Sequence, residues 1–317
     1  MEIYNDIQDI NLNEDSVVTI GNFDGVHLGH QRLIEKAIDI EKEKGYKSLL
    51  LTFENHPCGF LNKHNIRLIM TRKDKHQVVS DMGIKVFVSL TFDEYISSLE
   101  PEEFVSEILI KKLHAKEVVV GYDFRFGKDR KGDINQFSHM AEKYGFNLNI
   151  IDPVEMENEK ISSSLIRKKI STGDVKGASE LLGRPYYVSG KVVHGKRFGR
   201  TIGFPTLNLE IDENILLPKP GVYYTNVEIE GKTYKAATNI GFNPTVNGDR
   251  LSLESHVIDY SNDVYGKSVK IIFLSRLRDE VKFSSIEGLK NQLKQDVEKI
   301  KNLFTCNMQY DTIKIGD

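Results

Sequence analysis

The sequence Ile20-Gly-Asn-Phe-Asp-Gly-Val-His-Leu-Gly-His-Gln-Arg32 joins a predicted strand to a predicted helix. The apolar, β-branched residues in 17–20 predict the strand, and apolar residues recur at helical spacing in 33–38. The chain must therefore turn sharply between the two elements. Gly21 and Gly25 permit such a turn, because glycine has the fewest conformational restrictions.

His27 and His30 lie three residues apart, so both imidazoles are expected on one face of the first helical turn. The N-terminus of a helix carries unpaired N–H groups and the positive end of the helix dipole, which together favour phosphate. Three interpretations compete for this pair. It contacts the phosphates of a nucleotide, it binds a metal that would need further ligands, or it only caps the helix.

Composition limits the classes of protein that fit. The 317 residues predict two domains, since about 150 residues per domain is usual. With 43 Lys and Arg against 46 Asp and Glu, the net charge of −3 gives no reason to expect nucleic acid or a membrane as partner. Two distant cysteines, Cys58 and Cys306, and no apolar leader predict a reduced, cytoplasmic protein. Self-association into a homo-oligomer stays open.

The first half of the chain alternates strand-like and helix-like segments. Strands are predicted at 48–53, 85–90, 117–121 and 148–151, and helices at 73–82, 101–113 and 134–144. This order predicts a parallel sheet covered by helices, in which ligands bind beyond the carboxyl ends of the strands.

Three further segments are candidates for ligand contacts, of which the first two follow predicted strands and the third opens a helix. They are Glu54-Asn-His-Pro57, Gly121-Tyr-Asp-Phe-Arg-Phe-Gly127 and Lys160-Ile-Ser-Ser-Ser-Leu-Ile-Arg167. The second combines an acid, an arginine and two phenylalanines that suit an aromatic ring beside a phosphate, although a plain hydrophobic turn also fits. In the third, serines at a helix start suit a phosphate, although a simple N-cap is also consistent.

The second half has a different pattern, which sets predicted domains of 1–185 and 186–317. Alternating strands are predicted at 186–193, 221–229, 233–240, 251–258 and 268–274, followed by an amphipathic helix at 286–304. Five or six antiparallel strands in a short span favour a small closed barrel, since closure removes exposed strand edges.

The loop Gly195-Lys-Arg-Phe-Gly-Arg-Thr-Ile-Gly-Phe-Pro-Thr-Leu-Asn208 is rich in glycine and basic residues, which suits a polyphosphate. Thr206 and Asn208 supply hard oxygen ligands of the kind that Mg²⁺ prefers. Glu254 is the candidate base for a hydroxyl substrate. The competing interpretations are a basic surface hairpin for the loop and a solvent-facing position for Glu254.

These motifs together resemble one family. The His-x-Gly-His segment is similar to nucleotidyltransferases, and residues 195–208 resemble the Gly-rich loop and Pro-Thr-x-Asn motif of riboflavin kinases. Over residues 17–297 the chain resembles the prokaryotic bifunctional riboflavin kinase/FMN adenylyltransferases, also called FAD synthetases. The resemblance implies a Rossmann-like nucleotidyltransferase domain followed by a riboflavin kinase-like β-barrel and a carboxyl-terminal helix.

The resemblance also implies substrates and residue roles. Riboflavin would be phosphorylated to FMN, and FMN adenylylated to FAD and pyrophosphate, with ATP and Mg²⁺ used and no other partner. Catalytic roles fall to His27, His30 and Glu254, and the metal to Thr206 and Asn208. Flavin contacts are implied for Phe53, His56, Pro57, Asp123 and Phe124. Nucleotide contacts are implied for Asn22, Asp24, Gly25, Lys160, Ser163, Ser164, Arg167, Gly195, Lys196, Gly203 and Pro205.

Two residues depart from the family pattern. Leu207 stands where the family usually has alanine, and Asn55 where it more often has proline. Two other functions stay open from the sequence. One is an enzyme that keeps a single activity, and the other is a flavin-sensing regulatory protein that binds without turnover.

Overall fold

The computed structural model describes residues 1–55, 66–195, 198–245 and 248–303. The chain divides into two compact units. We call the first the amino-terminal unit, which comprises Met1–Arg167, Leu181–Gly183 and Asn214–Leu216. The second, the carboxyl-terminal unit, comprises Lys168–Glu180, Arg184–Glu213 and Leu217–Asp317.

The amino-terminal unit is built on a six-stranded parallel sheet of order β1-β4-β3-β2-β5-β6. Strand β2 pairs with β3 on one side and with β5 on the other. The loops that follow β2 and β5 therefore begin next to each other, at the carboxyl ends of adjacent parallel strands. This is the position at which α/β sheets bind ligands. The strands are β1 Glu2–Tyr4, β2 Ser16–Ile20, β3 Lys47–Phe53, β4 Val86–Leu90, β5 Ala115–Gly121 and β6 Asn147–Ile151.

Helices cover both faces of this sheet, and two apolar clusters form the core. The centre of β3 alternates between the clusters, since Leu49 and Leu51 pack in one and Leu50 in the other, all fully buried. The helices are α1 Leu28–Lys44, α2 Arg72–Met82, α3 Glu94–Ser98, α4 Pro101–Glu103 and α5 Ile134–Tyr144, with a π-helix at Phe104–Lys112 and a 3₁₀ turn at Lys128–Arg130.

A short hairpin and two helices follow the sheet along the chain. The hairpin strands β7 and β8 are antiparallel, and helix α6 begins three residues after the end of β8. This order places the serine-rich segment at the start of a helix, as the sequence predicts. The elements are β7 Glu155–Met156, β8 Glu159–Lys160, α6 Ser163–Thr172 and α7 Val175–Leu182.

The carboxyl-terminal unit contains a closed antiparallel barrel of order β10-β13-β12-β11-β14-β9. The interior holds a chain of buried hydroxyls, in which Thr225 Oγ1 lies 2.7 Å from Thr238 Oγ1 and the latter 2.6 Å from Ser255 Oγ. The strands are β9 Tyr187–Val193, β10 Leu207–Glu210, β11 Gly221–Ile229, β12 Lys232–Thr245, β13 Gly248–Val257 and β14 Ser268–Arg278, with helix α8 Phe198–Thr201 between β9 and β10.

Helix α9, Ile286–Asn302, follows the barrel and is capped at its start by the Ser285 hydroxyl. The buried carboxylate of Asp296 on α9 accepts two hydrogen bonds from Arg278 Nε at 3.1 Å and one from Nη2 at 2.7 Å. This bidentate ion pair fixes the helix to β14.

The predicted architecture, an α/β domain followed by a β-barrel and a closing helix, is confirmed. Strands β1 and β10 were not predicted, because each is too short to show a clear alternation. Part of the predicted helix at 101–113 is a π-helix. Within the described ranges, no helix has the length and apolar character needed to cross a membrane.

Candidate active sites

The loop between β2 and α1 has a strained backbone. Phe23, Gly25 and Val26 all have positive φ, at 48°, 84° and 40°. Only the glycine adopts such values without cost, and for a β-branched residue such as Val26 they are rare. A strained segment persists only where its surroundings hold it.

Side chains from three elements hold this loop through its carbonyl groups. Thr52 Oγ1 on β3 donates to Asn22 O at 3.0 Å, and Ser163 Oγ at the start of α6 donates to Asp24 O at 2.9 Å. Gln31 Nε2 on α1 donates to Val26 O at 2.8 Å. The loop conformation is therefore fixed partly by Thr52 and Ser163, which are distant in sequence, and partly by Gln31, which lies five residues after Val26.

Asp24 belongs to this loop, and its side chain is buried. It accepts hydrogen bonds from Ile69 N at 3.0 Å and from Arg167 Nη2 at 2.6 Å, while Arg167 Nε donates to Arg67 O. Two residues predicted to contact nucleotide thus pair with each other, whereas Ser164 is exposed. Their nucleotide contacts stay predictions.

His27 and His30 come together at the start of α1. Their rings stack with centroids 3.7 Å apart and 17° between planes. His27 is also the N-cap, because its Nδ1 accepts a hydrogen bond from His30 N at 3.3 Å. An accepting Nδ1 carries no proton, so the neutral His27 ring carries its proton on Nε2. The capping interpretation therefore holds for His27, and it is compatible with a phosphate site.

The histidine pair lines a cleft of about 270 Å³ that also receives residues from β5, the β7–β8 hairpin and α6. Lys160 Nζ donates to Asp123 Oδ2 and to Tyr122 OH, both at 2.6 Å. Burial lowers the pKa of Lys160, but these two hydrogen bonds outweigh it and hold the pKa above its ordinary value. The predicted residues that line this histidine cleft are His27, His30, Asp123, Phe124, Lys160 and Ser163.

A second cavity of about 270 Å³ adjoins the histidine cleft, and the two share Ile20, Gly21, Asp123 and Phe124 as lining. Five phenylalanines contribute to its wall, so it suits a flat ring system. We call it the aromatic cavity. Among its lining residues are Asn22, Phe53, Phe92, Phe104, Asp123, Phe124, Phe126, Arg125 and Arg130.

Two residues predicted to contact flavin, His56 and Pro57, lie outside the described residues. Asn55, which replaces the usual proline, is described. Its side chain accepts from Phe92 N at 2.7 Å and donates to Phe92 O at 2.9 Å. This departure from the family pattern therefore joins the end of β3 to the segment after β4, beside the aromatic cavity.

In the barrel, the predicted kinase residues lie on adjacent strands. Asn208 on β10 pairs with Glu254 on β13, and Glu254 pairs with Asn239 on β12. All three are half-buried. Because Leu253, Ser255 and Val257 are buried, Glu254 lies on the opposite, outer face of β13.

Gly195 is required by this arrangement. A Cβ at this position would lie 2.4 Å from the side-chain amide of Asn208. Gly203 has φ of 88° in the turn before β10. Lys196 lies outside the described residues.

A cavity of about 510 Å³ is lined by Pro205, Thr206 and Leu207, but neither Asn208 nor Glu254 is among its lining residues. The imidazole of His256 contacts one of these lining residues, since its Nδ1 lies 2.8 Å from Pro205 O. A carbonyl only accepts, so that nitrogen carries the proton. We call this space the barrel cavity, and its other lining residues include His194, Arg200, Val257, Tyr260 and Tyr265.

Within the described part of the chain, no group of three or more His, Cys, Asp or Glu residues could hold a metal ion. The oxygen donors of Thr206 and Asn208 are of other types and remain candidates for a hard cation.

Sequence reasoning missed several residues that position these sites. Thr52 donates a hydrogen bond to the strained loop, and Asn239 pairs with Glu254 on the neighbouring strand. The imidazole of His256 bonds to the carbonyl of Pro205. The alternation of β13 placed His256 on the same face as Glu254, which was a usable signal. Thr52 gave none, since it lies inside an otherwise apolar strand.

Comparison with known proteins agrees with the geometry. Residues 9–165 match the FAD synthetase family and residues 182–304 match the riboflavin kinase family. The bifunctional riboflavin kinase/FMN adenylyltransferase of Buchnera aphidicola subsp. Acyrthosiphon pisum is 38% identical, over 97% of this chain and 99% of its own. That of Bacillus subtilis is 36% identical, over 92% and 93%.

A solved structure shares the architecture over almost the whole chain. It is described as a macrolide-efflux protein from Streptococcus pneumoniae, with a TM-score of 0.87 and 35% identity, and the alignment covers 95% of this chain and 98% of that one.

The two family matches show that the present chain is a two-domain transferase with a nucleotidyltransferase unit and a kinase barrel. It belongs to the bifunctional riboflavin kinase/FMN adenylyltransferase family, which confirms the resemblance seen in its motifs.

Proposed function

We propose that this chain converts riboflavin to FMN and then FMN to FAD, using one ATP in each step. Residues 186–317 perform the phosphorylation and residues 1–185 the adenylylation. The observation that carries the proposal is the shared wall of two amino-terminal cavities, one lined by the stacked histidines and one by several phenylalanines. A flavin in the aromatic cavity would direct its phosphate towards a nucleotide in the histidine cleft.

Adenylylation needs no base, because the FMN phosphate is already a nucleophile. Its oxygen attacks the α-phosphorus of ATP, the bond from that phosphorus to the bridging oxygen breaks, and pyrophosphate leaves. His27 and His30 donate hydrogen bonds to the phosphate oxygens on which charge accumulates. Lys160 and Ser163, which line the same cleft, would bind the remaining phosphates.

Phosphorylation does need a base, and Glu254 takes that role. Its carboxylate accepts the proton of the ribityl 5′-hydroxyl while that oxygen attacks the γ-phosphorus, and ADP leaves. Thr206 and Asn208 would hold Mg²⁺, because their oxygen donors fit a hard cation and Asn208 pairs with Glu254. When bound, the ion neutralises charge on the phosphate oxygens.

Riboflavin, FMN and ATP are then the partners of the chain. We place the enzyme in the cytoplasm, where ATP is available to both reactions.

A single incubation tests the function. The purified chain is mixed with riboflavin, ATP and Mg²⁺, and the flavins are separated by chromatography. We expect FMN to appear first and FAD to follow. FMN without FAD would show a single activity, and tight flavin binding without either product would overturn the enzyme assignment.

A further inference from the structure

Helix α2 carries a buried ammonium group behind the strained loop. Lys75 is only 8% exposed. Its Nζ donates to Asn22 O at 2.8 Å and lies 3.3 Å from Thr52 Oγ1. Asn22 O thus receives hydrogen bonds from two side chains, on β3 and α2.

The burial of Lys75 is costly. Desolvation lowers its pKa to about 8, although the nearby Asp24 carboxylate opposes the shift and Arg72 adds to it. An apolar residue would fill the same space without that cost. The nearby Asp24 carboxylate offsets part of that cost.

The contact between Lys75 and Asn22 O lies at the start of the strained loop. Asn22 directly precedes Phe23, the first residue with positive φ, and Asp24 follows with its carboxylate beneath the loop. A fixed Asn22 carbonyl sets the start of the strained segment, and the Ser163 and Gln31 contacts set its middle and end. His27 comes next along the chain.

We propose that Lys75 is a positioning residue for adenylyl transfer, whose ammonium holds the Asn22 carbonyl and balances the buried Asp24 carboxylate so that the loop presents His27 and His30. The inference rests on the proposed function of the amino-terminal unit. Lys75 is not among the residues that line the histidine cleft or the aromatic cavity.

A pH dependence follows from the charges around Lys75. As pH rises through its pKa of about 8, Lys75 loses its charge. The neutral amine still donates a hydrogen bond, but its charge no longer adds to that of Arg167 in balancing Asp24. We therefore expect the rate of adenylyl transfer to fall above about pH 8. The other charged groups that face this region are Arg167 from α6, Arg72 and Asp74 from α2, and Glu54, which pairs with Arg72.

The test compares Lys75→Met with Lys73→Met, a change at an exposed position of the same helix. Steady-state adenylylation of supplied FMN is measured from pH 6.5 to 9.5 (about 1.5 pH units either side of the Lys75 pKa), together with thermal unfolding. Riboflavin phosphorylation by the same samples serves as the internal control. Lys75→Met should lower kcat by about 10- to 100-fold with a smaller change in KM, because misplaced catalytic groups weaken the transition state.

Two further readouts separate positioning from mere structural support. Lys75→Met should lose the decline above pH 8. Its melting temperature should fall, because a cation beside the buried Asp24 has been removed, but the loss of kcat should exceed the fraction of protein unfolded at the assay temperature. Thr52→Val removes the other donor to Asn22 O without a change of charge. It should cost less activity and keep the alkaline decline.

Retained kcat in Lys75→Met, or an alkaline decline that persists in it, would overturn the inference. So would a loss of activity that matches only the fraction of unfolded protein. If the wild-type chain makes no FAD from FMN and ATP, the proposed function fails first and Lys75 has no reaction to position. The wild-type assay is therefore run before the variants.

Discussion

The loop that carries His27 and His30 and the barrel face that carries Asn208 and Glu254 are held by different parts of the chain. The loop has a strained backbone, and its carbonyls are held by side chains from β3, α1, α2 and α6. On the barrel, Asn208 and Glu254 face each other through ordinary antiparallel pairing of β10 with β13.

This difference determines how far away a mutation can act. Strand pairing fixes the barrel residues through backbone hydrogen bonds that most substitutions preserve. The loop depends on individual side chains that lie far away in sequence. Adenylylation should therefore be sensitive to changes outside its cleft, and phosphorylation mainly to changes on the barrel face itself.

The largest expected effect is at Glu254. Glu254→Gln removes the proposed base, so riboflavin phosphorylation should fall by about 10²- to 10⁴-fold. Adenylylation of supplied FMN should be unchanged, as measured by chromatography of the flavins. Glu210→Gln, at an exposed position of β10, is the matched control. Equal loss of both activities would mean that the two sites are not independent.

Next in size is the histidine pair. His27→Ala combined with His30→Ala removes the two proposed donors to the transition state, and FAD formation should fall by about 10²- to 10³-fold while FMN formation persists. His139→Ala, on the exposed face of α5, should change neither rate. An undiminished FAD yield from the double variant would remove these histidines from the mechanism.

Glycine substitutions test the comparison directly. Gly195→Ala would place a Cβ 2.4 Å from Asn208, whereas Gly29→Ala would place one 3.2 Å from the His27 ring. The first should lower phosphorylation by about 10-fold or more, and the second should lower adenylylation only about threefold. Initial rates of both reactions on each variant are the measurement. The reverse order of severity would contradict the geometry.

The smallest effect concerns stability away from both sites. Burial raises the pKa of Glu117, but hydrogen bonds from Lys44, Asn147 and Asn149 outweigh it and hold the pKa below its ordinary value. A carboxylate with a lowered pKa stabilises the fold above its unfolded pKa of about 4.3, and this contribution is lost as pH falls further.

Glu117→Gln should accordingly reduce the free energy of unfolding by about 1 kcal/mol at pH 7. Urea unfolding at several pH values measures this difference, which should shrink below about pH 4. Adenylylation per folded molecule should not change. A difference that stayed constant into acid would show that the charge of Glu117 contributes nothing.

Much of the architecture was predictable because long, regular patterns determine it. The apolar strand β3 and the Gly-rich segment 195–208 can both be recognised from the local sequence alone. Lys75 could not be found in this way. It lies in the charged run Arg72-Lys-Asp-Lys-His76, which reads as a solvated helix face. Only the packing of α2 behind the loop buries it.

The histidine site was predicted only in part from the sequence. Spacing placed His27 and His30 on one helical turn, but the N-cap role of His27 depends on the strained φ values before it. Local sequence does not encode such values for Phe23 and Val26, whose own preferences oppose them. The contacts from distant elements impose them.

The hydroxyl chain inside the barrel has a use as a probe of motion. Thr225, Thr238 and Ser255 are fully buried and bonded in series across three strands. Their protons can reach solvent only when those strands separate. Slowly exchanging hydroxyl resonances should therefore report, by nuclear magnetic resonance, how often the barrel opens behind Glu254 during turnover.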